Sequence, residues 1–574
     1  MKTLLIVCLL LVCQQMEAID YLFRNGKSDY YIVVAEDASV SEKTAARELQ
    51  HYLWQSSGVR LPLQSLPAGV GRHIFVGHNK WVAALTHTQP PVDADEGFVY
   101  GVANHNLYIY GGRERGTMYG VYTFLEQELG VHWFASHCTQ VPRVKQFAID
   151  NLQHAEKPAI RLRLDFYYDA LAHHDWGARN KLNTQYELSN GEHGQMSAYW
   201  GIHTFERLMP PSVYFKKHPE YYSVHDGRRS DKAQLCLSNA KMRKELTKNL
   251  KEVIAKNPGY WCYDVSQNDN QWPCECKNCQ HLAVQYGGQS GLMIWFVNQV
   301  AAEIKKVAPQ VYIGTFAYLY TRKAPTSGIR PADNVVVRLC DIECCMAHPL
   351  EACSENRSFM SDLSSWQRLT RNIYIWDYTT GFSNYLLPFP DFDALSANIR
   401  CFAKNGVIGV MEEGAHNAAW AEFSELKQWM IAKLLWNPWQ STDSLARVFI
   451  EGYYGKAAPY VKDYYNLCQS QVTARQHFTI HIDWNSGLYD GRFLTEGLKL
   501  MKKAQRAIGS DAEMQKRVNR LSAQLYYLKL RRNNVASAAD GTLSRFKEII
   551  KADETLIREN EYRLSDLLRD LHYY

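Results

Sequence analysis

The chain of 574 residues is long enough for several domains, so a single small binding module is excluded. Hydrophobic residues make up 46% and charged residues 21%, which suits a globular chain with a sizeable core and excludes a disordered one. A net charge of only +5 gives no polyanion-binding surface, and nucleic acid is not an expected partner.

Residues 1–18 carry Lys2, the apolar run Leu4 to Val12 and then a polar stretch ending at Ala18. That is the order of a secretory signal, and the run is far shorter than the roughly 20 residues of a membrane span, so a secreted or periplasmic protein is expected. No other stretch approaches a membrane span.

From Tyr30 onward short strands alternate with two helical patterns, Ser41 to Ser56 and Arg115 to Leu129, and Asn104-His105-Asn106 supplies a hairpin turn. These predict a small α+β domain over residues 19–155. Beyond Pro158 seven hydrophobic strands alternate with helices, at Ile160 to Phe166, Ala198 to His203, Trp261 to Val265, Tyr312 to Ala317, Val335 to Leu339, Ile373 to Trp376 and Val407 to Met411. Seven strand-helix units predict a TIM-like (β/α)8 barrel over residues 156–436, with one strand irregular. After Trp436 strand signals stop and five helical segments, the last running from Leu543 to Leu571, predict a helical C-terminal domain over residues 437–574.

Barrel chemistry sits where the strands end. Polar residues just past the predicted strands are Asp165, His203, Asp264, Asp269, Tyr318, Asp341, Glu343, Asp377, Glu412 and Glu413. Serine-nucleophile, zinc-protease and nucleotide motifs do not occur, which leaves carboxylate acid/base work. Asp269 lies between Asn268 and Asn270, amides able to set its protonation state. Glu412 and Glu413 point to opposite sides of an extended chain, so only one should face the barrel axis. A single Asp in an Asn-rich turn is also a turn former, and an acidic pair before Gly is also a helix-cap sequence. Trp200, Trp376, Tyr318 and Tyr378 interleave with the carboxylates, a combination suited to the apolar faces and polar edges of a sugar. A glycan or glycoprotein is the expected partner. No cofactor is expected, except that Cys262, Cys274, Cys276 and Cys279 could form either a structural zinc site or disulfides.

Ile32 to Ala35 with Ala45 to Leu53, and Arg115 to Tyr122 with Gly130-Val131-His132-Trp133, resemble the N-terminal domain of α-glucuronidases and related hexosaminidases. His218-Pro219-Glu220-Tyr221-Tyr222, Ser266-Gln267-Asn268-Asp269 with Cys274-x-Cys276-x-x-Cys279, and Gly409-Val410-Met411-Glu412 resemble glycoside hydrolase family 163, formerly the DUF4838 domain family. The resemblance implies an endo-β-N-acetylglucosaminidase that retains configuration and uses the substrate's acetamido group as nucleophile, an exception to the two-carboxylate scheme. It implies Asp269 and Glu412 as catalytic carboxylates, with Glu412 protonating the leaving oxygen and Asp269 orienting the acetamide. Glu413 departs from the pattern, where a neutral amide is expected. The alternatives are an inverting α-glucuronidase-like enzyme using Asp377 and Glu412, with Arg161 or Arg179 as a uronate clamp, and a non-catalytic glycan-binding protein.

Overall fold

In the computed structural model the described residues are 19–573 apart from 68, 70, 87–95, 190 and 195. The signal segment at residues 1–18 lies outside them. Among the described residues no helix is long and apolar enough to cross a membrane.

The chain forms two compact units, Met1–Val131 with Val141–Glu156, and His132–Gln140 with Lys157–Tyr574. The first unit is built on a 6-stranded sheet with helices Val40–Ser57 and Gly116–Leu129. Ser39 caps the first helix through a reciprocal pairing with Glu42, two residues upstream of the Ser41 start expected from the sequence, and Gly58 ends it at φ 79°. Asn104 and His105 both have positive φ and close the hairpin between Phe98–Ala103 and Asn106–Gly111, as two-residue hairpin turns require.

The second unit contains an 8-stranded parallel sheet curled into a nearly closed barrel. Its strands are β1 (Leu162–Phe166), β2 (Thr184–Gln185), β3 (Ser197–Trp200), β4 (Cys262–Asp264), β5 (Tyr312–Ala317), β6 (Val335–Cys340), β7 (Ile373–Tyr378) and β8 (Gly409–Glu413). β8 pairs with both β7 and β1, and the ladder then runs through β6, β5, β4 and β3 to β2. The strand without a sequence signal is β2. It has only two residues, too few for any periodicity, and the seam beside it is held by Asn183. The Arg163 N–H donates to Asn183 Oδ1 at 2.8 Å and Asn183 Nδ2 donates to the Arg161 carbonyl at 2.7 Å, so a side chain replaces part of a ladder.

Side chains at equal register on parallel strands share a face. Tyr374, Trp376, Tyr378, Met411 and Glu413 share one face of β7 and β8, and Arg338 and Phe316 share it on β6 and β5. Arg338 is buried at the barrel axis, its guanidinium 3.2 Å from the Tyr199 ring centre and within 6 Å of the Tyr374 and Trp376 rings. The barrel is thus floored by a cation packed in aromatic faces.

The helix Ser424–Trp436 is buried along its whole length. Its Lys427 ammonium meets Asp391 at 2.8 Å and Glu422 at 2.7 Å, partners that a buried cation needs. The helices that follow include Ala458–Gln469, Gly491–Ile508, Ala512–Arg532 and Thr542–Ala552. The single helix expected from Leu543 to Leu571 is broken. Residues 553–563 form a loop stitched to the barrel loops, with Tyr385 N–H donating to the Ile557 carbonyl at 2.8 Å and Asn417 Nδ2 to the Glu559 carbonyl at 2.7 Å.

Candidate active site

A cleft of about 610 Å³ opens at the C-terminal ends of the barrel strands. β3 brings Ile202 and His203 to it, the loop after β4 brings Asp269, β5 brings Tyr318, β7 brings Trp376 and Tyr378, and β8 brings Glu413. Two loops of the helical region complete the wall, one with Thr479, Ile480 and His481 and the other with Glu559.

Asp269 is exposed to this space and its Oδ1 accepts the Tyr318 hydroxyl at 3.0 Å. Tyr318 is placed from behind by Gln267, whose Nε2 donates to the Tyr318 carbonyl at 3.0 Å and whose Oε1 accepts from Thr321 at 2.8 Å. His203 sits at φ 50° and donates Nδ1–H to the Gln267 carbonyl at 2.7 Å, which fixes the neutral tautomer; burial lowers its pKa.

Glu413 is 7% exposed and accepts the Trp376 indole N–H at 2.7 Å. Burial pushes its carboxyl up to about 8; the Trp376 bond pulls the other way, and the charges of Glu559 and Asp269 add to the rise. Carboxylate oxygens of Glu413 and Glu559 lie within 4.8 Å of each other and of His416, and the Glu559 carboxyl is raised by burial and by Asp269. Glu413 thus offers the cleft a carboxyl raised by burial, in a space that also exposes Asp269.

Five of the ten residues expected here, Glu412, Asp377, Asn268, Asn270 and Trp200, do not line the cleft. Glu412 is fully buried and lies on the opposite face of β8 from Glu413, directed away from the cleft. Asp377 shares its register and is 2% exposed. With Asp165 and Asp341 they form a buried group of carboxyls, all raised first by burial and, for Glu412, then by Asp377 and Asp341. The period of two along the strand decides this: moving by one residue reverses the face. Asn268 and Asn270 do not bond Asp269. Asn268 bonds Gln234, Ala233 and Glu206, and Asn270 bonds Gln234, Lys232 and Trp272, so both amides build the loop. Trp200 is buried beneath the Arg207 guanidinium, which lies 4.1 Å from its ring centre, and its chain neighbours Ile202 and His203 reach the cleft instead. Neither proposed uronate clamp lines the cleft: Arg179 pairs with Asp175 at 2.7 Å and Arg161 packs on Trp261.

Cys262 is also misplaced by the sequence reading. It is buried in β4, whereas Cys236 joins Cys274, Cys276 and Cys279 with sulfurs all within 4.8 Å of one another. Cys236 is separated from the other three by a helix and a strand, which hides it from any spacing motif. Glu559 and His481 had no signal either, because loops far along the chain deliver them.

A family model described as "Domain of unknown function (DUF4838)" matches residues 133–466, more than half of the chain. The chain belongs to the DUF4838 family. No curated protein matches its sequence. Among solved structures, this DUF4838 chain is similar to a family GH115 4-O-methyl-α-glucuronidase with specificity for decorated arabinogalactans. The TM-score is 0.60 at 10% identity, covering 92% of this chain and 76% of that one. Weaker likenesses are to CpGH84B, at a TM-score of 0.44 and 12% identity over 95% of this chain and 94% of that one, and to a GH138 enzyme targeting pectin rhamnogalacturonan II, at 0.43 and 11% over 95% and 98%. At these identities the likeness is one of fold.

Proposed function

We propose that the chain is a secreted glycoside hydrolase of family 163, an endo-β-N-acetylglucosaminidase acting on complex N-glycans with retention. The observation that carries this reading is the pairing, in one aromatic-walled cleft, of Glu413, whose carboxyl is pushed up by burial, with an exposed Asp269 held by Tyr318. Trp376 and Tyr378 offer ring faces to the apolar faces of pyranose units, and the carboxyls meet their hydroxyl edges.

In this reading Glu413 takes the acid role first expected at Glu412. It donates its proton to the glycosidic oxygen as the C1–O bond breaks. The acetamido carbonyl oxygen of the same sugar forms the new bond to C1, while Asp269 accepts the acetamide N–H and steadies the positive charge that develops. Glu413, now a carboxylate, takes a proton from water as that water attacks C1 and reopens the ring.

The likeness to a GH115 glucuronidase favours a second reading, inverting removal of a uronic acid. A uronate carboxylate calls for a cationic partner, and among the described residues lining the cleft there is no Lys or Arg, while Asp269, Glu343, Glu413 and Glu559 are all acidic. That balance supports a neutral acetamido sugar. The deciding experiment treats complex-type and high-mannose glycoproteins with the purified protein and weighs the products. One N-acetylhexosamine left on the protein is the expected result. Loss of terminal sugars alone would sink the endo-acting proposal, and binding without any release would make the chain a lectin.

A further inference from the structure

Two clusters of thiols and imidazoles stand outside the acid/base pair, and each ties a loop of the cleft to a second segment of chain. In the first, Cys236 Sγ is 3.7 Å from Cys276 Sγ and 3.8 Å from Cys279 Sγ, with Cys274 completing the group. A disulfide would bring two sulfurs to about 2.05 Å. A tetrahedral ion with Zn–S bonds of about 2.3 Å instead spaces its ligands about 3.8 Å apart. Backbone N–H groups already point at three of the sulfurs: Val224 at Cys274 (3.4 Å), Ser238 at Cys279 (3.4 Å) and Cys279 at Cys276 (3.5 Å). The Ser238 hydroxyl lies 3.2 Å from the Cys279 sulfur, 3.4 Å from that of Cys236 and 3.7 Å from that of Cys276, and Arg229 hydrogen-bonds Cys236. Donors and a cation gathered around four sulfurs are what a doubly negative metal-tetrathiolate requires from its surroundings.

The second cluster is independent of the first. Cys345, His348 and Cys353 lie on the loop after β6, and His477 comes from the segment between helices Ala458–Gln469 and Gly491–Ile508. Cys345 Sγ is 3.5 Å from His348 Nδ1 and 3.3 Å from His477 Nδ1, and Cys353 Sγ is 3.7 Å from His477 Nδ1. With Zn–S of about 2.3 Å and Zn–N of about 2.0–2.1 Å, the edge of a mixed tetrahedron is about 3.6 Å. His348 turns its other nitrogen to the Thr473 carbonyl at 3.0 Å, the bond that aims Nδ1 at the centre of the group.

We propose that the chain binds two structural zinc ions, one at Cys236/Cys274/Cys276/Cys279 and one at Cys345/His348/Cys353/His477. Neither is placed to touch substrate; each holds a wall of the cleft. Gln234, two residues before Cys236, exchanges hydrogen bonds with Asn268 and donates to Asn270, so the first ion fixes the loop that presents Asp269. His477 precedes Thr479, Ile480 and His481, so the second ion fixes the helical region's contribution to the wall. These assignments stand whether or not the reaction proposed above is correct.

The test is elemental analysis of the full-length protein, purified without chelator, combined with thiol counting before and after denaturation in chelator. About two zinc equivalents per chain are expected, with the site thiols unreactive until the metal is withdrawn. Cys279→Ser should lose one equivalent and His348→Ala the other. Should either variant fail to fold, cobalt-loaded wild-type protein provides the second measurement, since tetrahedral cobalt-thiolate sites give intense charge-transfer and visible bands. Absence of metal together with disulfides mapped to these cysteines overturns the proposal. A single equivalent lost only in Cys279→Ser overturns the mixed site, and one lost only in His348→Ala overturns the four-cysteine site.

Discussion

Glu412 and Glu413 are chain neighbours with the same functional group, yet they belong to different regions of the molecule. Glu412 joins Asp165, Asp341 and Asp377 behind the strands, where it hydrogen-bonds the Asp377 carboxyl, while Glu413 faces the cleft under an indole N–H. Burial raises both carboxyls. What separates them is access: of the two, only Glu413 lines the cleft. A raised carboxyl is therefore a sign of function only where a cavity reaches it.

The sharpest way to break this contrast is substitution at the two positions. Glu413→Gln should lower kcat by roughly 10²–10⁴-fold with the fold intact, the usual worth of a general acid. Glu412→Gln should leave turnover close to wild type. The reverse outcome, checked by glycan release and circular dichroism, would return the acid role to Glu412. Next in size, Tyr318→Phe removes the hydroxyl donated to Asp269, and loss of a hydrogen bond to a charged group, about 1.5–3 kcal/mol, predicts roughly a 10- to 100-fold fall in kcat/KM.

A smaller effect lies in the pH profile. With Glu413 pushed up to about 8, the basic limb of kcat/KM should fall near that pH, and Glu559→Gln, which removes a nearby negative charge, should move the limb downward. An unmoved limb would separate Glu559 from the acid. The smallest effect concerns stability. Asp264, pushed up to about 7, and Glu413, at about 8, hold protons in the folded state that the unfolded chain releases near pH 4. The stability they contribute is full below the unfolded values and lost as pH rises through the folded ones. The histidines His137, His203 and His416, all lowered by desolvation from 6.5, oppose the trend while the unfolded chain still protonates them, and cease to do so above about pH 7.5, where they are neutral in both states. Tm should therefore decline between about pH 7.5 and 8.5, less steeply in Glu413→Gln. A flat or rising curve would contradict the buried-acid account.

The barrel was legible because each of its seven longer strands is a short apolar run between helical patterns. β2 was not, since two residues carry no period and Asn183 does a strand's bonding through its side chain. In the site, Asp269, Tyr318, Trp376, Tyr378 and Glu413 follow from counting residues past strand ends. The face of β8 could not be read, because both of its terminal residues are acidic and alternation alone does not say which is inward. Cys236 and Glu559 reach their positions through tertiary folding, and no local pattern announces either.

The loop at residues 553–563 bears on how this protein can be cut. Glu559 reaches the cleft from it, and Trp420 of the barrel donates its indole N–H to the Asp553 carbonyl at 2.9 Å and accepts the Thr555 hydroxyl on its own carbonyl at 2.6 Å. A fragment ending at Trp436 would keep all eight strands and both residues of the proposed acid/base pair, yet its cleft would stand open on one side, with Glu413 more hydrated and a weaker acid-holding site. The wall of the cleft is thus completed by a loop more than 100 residues beyond the last barrel strand.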